Sequence, residues 1–218
     1  MGKRQVKMGE RMEVIILGSA KCAPEDFKNA RNIAPKAEIM VLNLSWFGIL
    51  SQVVKGELIV KHWVSLYCDI FVLRRWMKPK PITHTNLGDY SIDRKMADYI
   101  DRKWDFNHYG SVGMFATKVA LGLCYDKIIL AGCPIDDSGH FYDFENTKFE
   151  FDERTIATWK EFKDKPESVK VRSMSGLTKE LLGAPDGKWL GNRLCGCKTP
   201  LNIISESICD RCHLKIYE

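Results

Sequence analysis

The chain alternates short, almost wholly apolar runs with stretches whose apolar residues recur at helical spacing. "EVIILG" (13–18) is a β-rich run ending in glycine, and "AEIMVLN" (37–43) is a second run ending at a polar residue. Both predict strands of the buried type. Between them, "SAKCAPEDFKNARNIA" puts Pro24, Glu25 and Asp26 where the first turn of a helix takes proline and acidic side chains. "LSWFGILSQVV" predicts a helix after the second strand. The order βαβα predicts an α/β domain, Rossmann-like, with a mostly parallel sheet and helices on both faces.

Farther along, "LIVKHWVSLYCDIFVLRRW" (58–76) predicts one or two strands, "DIFVL" being the better, while 58–68 stays open between helix and strand. Two prolines flank a short extended run in "KPKPITHTN" (78–86), and Ile92, Met96, Tyr99 and Ile100 give "SIDRKMADYIDRKW" (91–104) helical spacing. Val112, Phe115, Ala116, Val119, Ala120 and Leu123 make one helix face, for which Ser111 is a fitting N-cap. "DKIILAG" (126–132) predicts a strand, "DERTIATWKEFKD" a helix and "VKVRSM" (169–174) a strand. "SGLTKELLG" predicts a short helix capped by Ser175 and stopped by Gly183, with Pro185 beyond. From about 191 the composition turns to glycine, asparagine, cysteine and short polar turns. The expected organisation is a basic arm (1–12), a Rossmann-like domain (13–190) and a small C-terminal unit (191–218).

With 218 residues and 45% apolar content, the chain suits one domain with a real core and a small appendage. A net charge of +5 permits phosphate-bearing partners without the Lys/Arg density of a dedicated nucleic-acid binder. No stretch reaches the roughly 18 uncharged apolar residues of a membrane span, and "MGKRQVKMGERMEV" lacks the apolar core of a signal peptide. A cytoplasmic protein with no membrane association is expected.

The eight cysteines fall into two groups. Cys22, Cys68, Cys124 and Cys133 are scattered among apolar segments and read as small buried residues. Cys195, Cys197, Cys209 and Cys212 form a C-x-C and a C-x-x-C pair separated by eleven residues. In a reducing compartment that crowding favours metal over disulfide, and four thiolates suit one structural, tetrahedral Zn²⁺ that folds a segment too short for its own core. His213 is an alternative to one of them. The predicted zinc ribbon points to docking or rigidity, because closed sites of this kind seldom catalyse.

Parallel sheets bind ligands beyond the carboxyl ends of their strands. The residues there are Gly18 and Ser19, Asn43, His84 to Asn86, and Gly132 to Asp137. With "GSVG" (110–113) at a helix start, they would surround one cleft, and the free amides and dipole at Ser111 to Gly113 would favour a phosphate. Singly, each piece has a plainer reading. "GSVG" also suits an ordinary helix start, Asn43 a cap, His62, His84, His108 and His140 ordinary polar side chains, and Asp136 with Asp137 a solvated pair. On position, Asp136, Asp137 and His140 are the candidates for a catalytic base.

"GSVGMFATKVALGLCYDKIILAGCPIDDSGHFYDF" resembles the segment of small bacterial sialyltransferases in which a Ser-Gly helix start precedes a strand ending in Gly-x-Asp. It is also similar to the Rossmann-type domain of archaeal hydroxymethylpterin diphosphokinase-like proteins. "VIILGSAKCAPEDF" and "AEIMVLNLSWF" are similar to the first two strand-loop segments of that group, so the likeness covers roughly residues 13 to 145. It implies a cleft holding a nucleotide such as CMP, touched by Asn43, Ser111, Gly113 and the Gly18–Ser19 loop. Two departures stand out: Gly132-Cys133-Pro134 replaces Gly-x-Asp, with Asp136 two positions later, and no histidine lies between 141 and 212 to match the sialyltransferase base. The "SMSGLTKELLG" ending with a short cysteine tail is similar to proteins of tailed phages, which would place the chain in a host bacterium's cytoplasm.

The leading expectation is therefore a nucleotide-dependent, glycosyltransferase-like enzyme, with the zinc ribbon or the basic arm (Lys3, Arg4, Lys7, Arg11) holding a nucleic-acid or protein acceptor. An ATP-dependent diphosphokinase-like enzyme with Mg²⁺ near Asp136 and Asp137 is the alternative, as is a non-catalytic protein that sequesters a nucleotide or binds nucleic acid.

Overall fold

In the computed structural model, residues 12–45, 59–87, 98–107, 111–142 and 153–191 are described. Their strands are β1 Glu13–Leu17, β2 Glu38–Leu42, β3 Val60–Val64, β4 Ile82–Asn86, β5 Arg102–Trp104, β6 Lys127–Ala131 and β7 Val171–Ser173. The helices are α1 Ala23–Ile33, α2 Val112–Gly122, α3 Glu153–Lys163 and α4 Gly176–Leu182. All seven strands lie in one sheet of order β5-β4-β3-β2-β1-β6-β7, and every neighbouring pair is parallel. The strand order reverses at β1, which places the topological switch point between β1 and β6.

Alternation along β1 and β6 sets the two layers. Val14, Ile16, Ile128 and Leu130 point to one face, where they cluster with Met114, Phe115 and Val119 of α2 and Trp159 and Phe162 of α3. Ile15, Leu17, Ile129 and Ala131 are equally buried on the other face, where α1 packs on β1 and β6 through Ala23, Phe27 and Ala30. Each large side chain so buried contributes about 1.5–3 kcal/mol, and both layers depend on β1 being apolar at every inner position. The outermost strands are only three residues long, which limits the free edge offered to other chains.

Three expectations are corrected. "DIFVL" is no strand: it lies in 3₁₀ turns over Cys68–Trp76, where Phe71 is fully buried edge-on against Trp63 at 5.3 Å. Packing of that ring decides the local conformation over strand propensity. The helical spacing of 91–104 does not reach its end, because Arg102–Trp104 pairs with β4 as β5; residues 91–97 lie outside the described set. Ser175 stands at the N-cap of α4 but makes no side-chain cap hydrogen bond, its hydroxyl donating instead to Asp26 Oδ2. Most of the predicted helix after β2 lies outside the described residues.

The chain divides into two compact units, Met1–Ala184 and Pro185–Glu218. In the second, Pro185–Gly191 is described, with a turn closed by Trp189 N–H donating to Asp186 Oδ1 at 2.6 Å and Leu190 N–H to the Asp186 carbonyl at 3.0 Å. The four cysteines of the predicted zinc ribbon, His213, His108 and residues 1–11 of the basic arm lie outside the described residues.

Candidate functional site at the switch point

The first loop after β1 and the long loop after β6 touch so closely that only glycine fits. A Cβ on Gly18 would sit 2.1 Å from the Gly132 carbonyl oxygen, and one on Gly132 would sit 2.4 Å from Ala23 Cβ. Gly18 N–H donates to the Ala131 carbonyl at 2.8 Å. Packing therefore explains both glycines without a ligand. Asp26, buried in the first turn of α1, ties the junction together: its Oδ2 accepts from Gly132 N–H at 2.9 Å and from the Ser175 hydroxyl at 2.5 Å. One carboxylate thus joins the segments that follow β6 and β7 to the helix that follows β1.

Beyond this junction the two loops pair as a short antiparallel bridge, Ala20 against His140. Lys21 N–H donates to the Gly139 carbonyl at 3.1 Å and Phe141 N–H to the Ser19 carbonyl at 2.9 Å. The bridge fixes Ser19 beside His140, whose Nδ1 lies 2.7 Å from Ser19 Oγ and 3.3 Å from the Ser19 carbonyl oxygen. The imidazole stacks on Tyr142 at 4.9 Å, with 20° between the rings.

At the end of β2, Asn43 has φ of +46°, unusual for any residue but glycine and best tolerated by asparagine and aspartate. It is held from three sides. Its N–H donates to the Val64 carbonyl at 3.0 Å, its carbonyl accepts from Trp63 Nε1 at 2.7 Å, and Oδ1 accepts from the Ser65 hydroxyl at 2.9 Å. Ser65 Oγ in turn accepts from Tyr67 N–H at 2.8 Å. With Oδ1 engaged, the Nδ2 donors of Asn43 have no partner among the described residues.

At the start of α2, Ser111 is the N-cap, its Oγ accepting from Met114 N–H at 3.2 Å. That hydroxyl serves the helix. The N–H groups of Val112 and Gly113 have no partner among the described residues, and they carry the positive end of the helix dipole. A Cβ on Gly113 would meet nothing nearer than Trp159 Cζ2 at 3.7 Å, an ordinary contact. Unlike Gly18 and Gly132, Gly113 is not required by packing.

These features face one cavity of about 470 Å³, within the roughly 300–1,000 Å³ range of small-molecule sites. Gly18, Ser19, Asn43, Ser111, Gly113, Gly132, Asp136 and His140 all line it. Asp137 does not, and neither do His84, Thr85 and Asn86, which lie inside β4 with three strands between them and the switch point. No family model, no curated protein and no solved structure matches this chain. What the site can do rests on its own chemistry.

The cavity also has walls that periodicity alone did not mark as site residues: Leu42, Leu66, the half-exposed Tyr67 and the buried Thr155 and Trp159. Trp159 Nε1 is buried without a hydrogen-bond partner among the described residues. Ile135, also lining the cavity, has φ of +55°, a strained conformation for a β-branched residue. Asp136 Oδ1 accepts from the Ser138 N–H at 3.1 Å and hydroxyl at 2.5 Å, which holds the carboxylate in its own turn. Burial, the largest influence on each, pushes the Cys22 thiol up to about 12 and the Cys133 thiol up as well, so neither supplies a thiolate at neutral pH. Cys124, expected to be buried, is exposed at φ +64° just after α2. Among the described residues, no cluster of three or more His, Cys, Asp or Glu side chains is placed to hold a metal.

Proposed function

We propose that the switch-point cavity binds a nucleotide or nucleotide sugar and that the protein is a nucleotide-dependent transferase of the glycosyltransferase type. One observation carries the reading: two N-terminal amides of α2 and the Nδ2 donors of Asn43, all without a partner among the described residues, open onto a cavity whose remaining wall is largely apolar. Helix-end amides suit phosphate oxygens, and they would stabilise the negative charge that builds on a departing phosphate. Tyr67 and the leucines offer a flat apolar surface for a base, and Asn43 offers a donor to its acceptor edge.

The diphosphokinase-like alternative draws less support. Asp136 already accepts two hydrogen bonds from Ser138, and Asp137 is off the cavity, so the pair does not present a joint Mg²⁺ site. The reading keeps Cys195, Cys197, Cys209 and Cys212 as ligands of a structural Zn²⁺, in a unit that, with the basic arm, would engage an acceptor. Isothermal titration with CMP, UDP and ADP tests it: at least one should bind, and Asn43→Ala should weaken that binding by ~10-fold, the loss of one hydrogen bond to a polar ligand. Absence of binding by every nucleotide tried would refute it.

A further inference from the structure

We propose that Ser19 is a nucleophile with His140 as its base, giving this cavity a covalent chemistry toward activated carboxylic esters that does not depend on the nucleotide reading. Serine is inert as a nucleophile unless a base lies within hydrogen-bond reach of its hydroxyl. At 2.7 Å, His140 Nδ1 is within that reach, and both residues line the cavity.

The pairing is enforced by backbone, not by chance proximity of two side chains. The Ala20–His140 bridge and the Phe141-to-Ser19 hydrogen bond lock the two loops in register on either side of the pair. The imidazole is further held flat against Tyr142. The same nitrogen has a partner in both protonation states. Unprotonated, Nδ1 accepts the Ser19 hydroxyl proton; protonated, it can donate to the Ser19 carbonyl oxygen 3.3 Å away. An imidazolium formed during attack is therefore stabilised where it forms.

Other nucleophiles on the cavity wall are less suited. Ser111 Oγ caps α2, and the Cys133 thiol is held protonated by burial.

In the reaction, Ser19 Oγ attacks the ester carbonyl carbon and passes its proton to His140 Nδ1. The new Oγ–C bond forms, the carbonyl oxygen becomes an oxyanion, and collapse breaks the bond to the alkoxide or phenoxide, which takes the proton from His140. Water attacks the acyl-serine by the same route in reverse and releases the carboxylic acid. The amides of Val112 and Gly113, without a partner among the described residues, open onto the same cavity and favour an anionic oxygen there.

The test uses the full-length protein with p-nitrophenyl acetate and, separately, a fluorophosphonate, followed by intact-mass measurement and peptide mapping. One adduct per chain, located on Ser19, is expected, with a burst of p-nitrophenol. Ser19→Ala should abolish both, and His140→Gln should slow adduct formation by ~100-fold or more while its circular dichroism and melting temperature stay those of the wild type. An unmodified wild-type protein, an adduct on another residue, or a folded His140→Gln variant reacting at the wild-type rate would each overturn the proposal. Nucleotide titration of the same samples reads the binding proposal separately, so either can fail alone.

Discussion

Gly18 and Gly113 face the same cavity, yet they differ in why they are glycine. Adding a methyl group to Gly18 drives it into the Gly132 carbonyl, backbone against backbone, so Gly18→Ala should lower the melting temperature sharply or prevent folding. At Gly113 the same methyl makes only ordinary contacts, with Trp159 Cζ2 at 3.7 Å and Ser111 Oγ at 3.8 Å, and alanine is the better helix former. Gly113→Ala should therefore leave thermal stability unchanged or slightly raised while weakening nucleotide binding, because the methyl group enters the space above the α2 amides. Melting curves and titration calorimetry on the two variants check both halves of the contrast. From sequence the two residues look alike, since each is a glycine at the edge of an element. What separates them is the approach of a chain segment more than a hundred positions away, which no local pattern records. Ser111 is the opposite case: its position before an apolar helical face marked it as a cap, and its hydroxyl bonds Met114 N–H as that position requires.

Elements with one dominant signal were readable. β1, β2 and β6 are each four apolar residues behind one charged residue, and α2 has a capped apolar face, so the strand ends that bound the cavity could be located in advance. Elements decided by their neighbours were not. Phe71 takes "DIFVL" out of the strand class by packing on Trp63, and β5 exists because β4 offers it a free edge. The connection of elements through Asp26 was also invisible, because acidic residues in a first helical turn usually face solvent and favour the dipole. Here the carboxylate is buried and satisfies Gly132 N–H and Ser175 Oγ. Asp26→Ala leaves both donors without their acceptor, and urea denaturation should show a loss of about 1–3 kcal/mol. A change below ~0.5 kcal/mol, the usual range of surface substitutions, would mean that the junction is held by the glycine contacts alone.

Across four of the seven strands runs a buried polar chain, from β5 to β2. Trp104 Nε1 donates to His84 Nδ1 at 3.0 Å, which leaves His84 Nε2–H to donate to His62 Nδ1 at 2.9 Å. His62 Nε2–H then reaches the Tyr125 hydroxyl at 2.9 Å, and that hydroxyl donates to Glu38 Oε2. The direction of the chain keeps both imidazoles neutral, and burial pushes His62 down to about 4 and His84 down to about 3. In the unfolded chain these groups take up protons near pH 6.5, so below that pH the unfolded state binds more protons than the folded state. Stability is therefore full above pH 6.5 and declines as pH falls toward 4 and 3. The decline is about 1.4 kcal/mol per pH unit for each histidine at most. Urea midpoints measured from pH 7 to 5, above the range where most carboxylates titrate, should fall steadily; a flat profile would show that the histidines are not buried as neutral groups.

The position of β1 at the centre of the sheet has a consequence for synthesis. Its partner on one side, β2, begins at Glu38, but its partner on the other, β6, begins only at Lys127. On a ribosome adding ~5–20 residues per second, the β6-facing edge of Val14–Leu17 waits on the order of ten seconds for its neighbour. During that interval it is an unprotected, wholly apolar template for another nascent chain. The strand that gives the finished molecule its switch point is thus the segment of the emerging chain most in need of a chaperone.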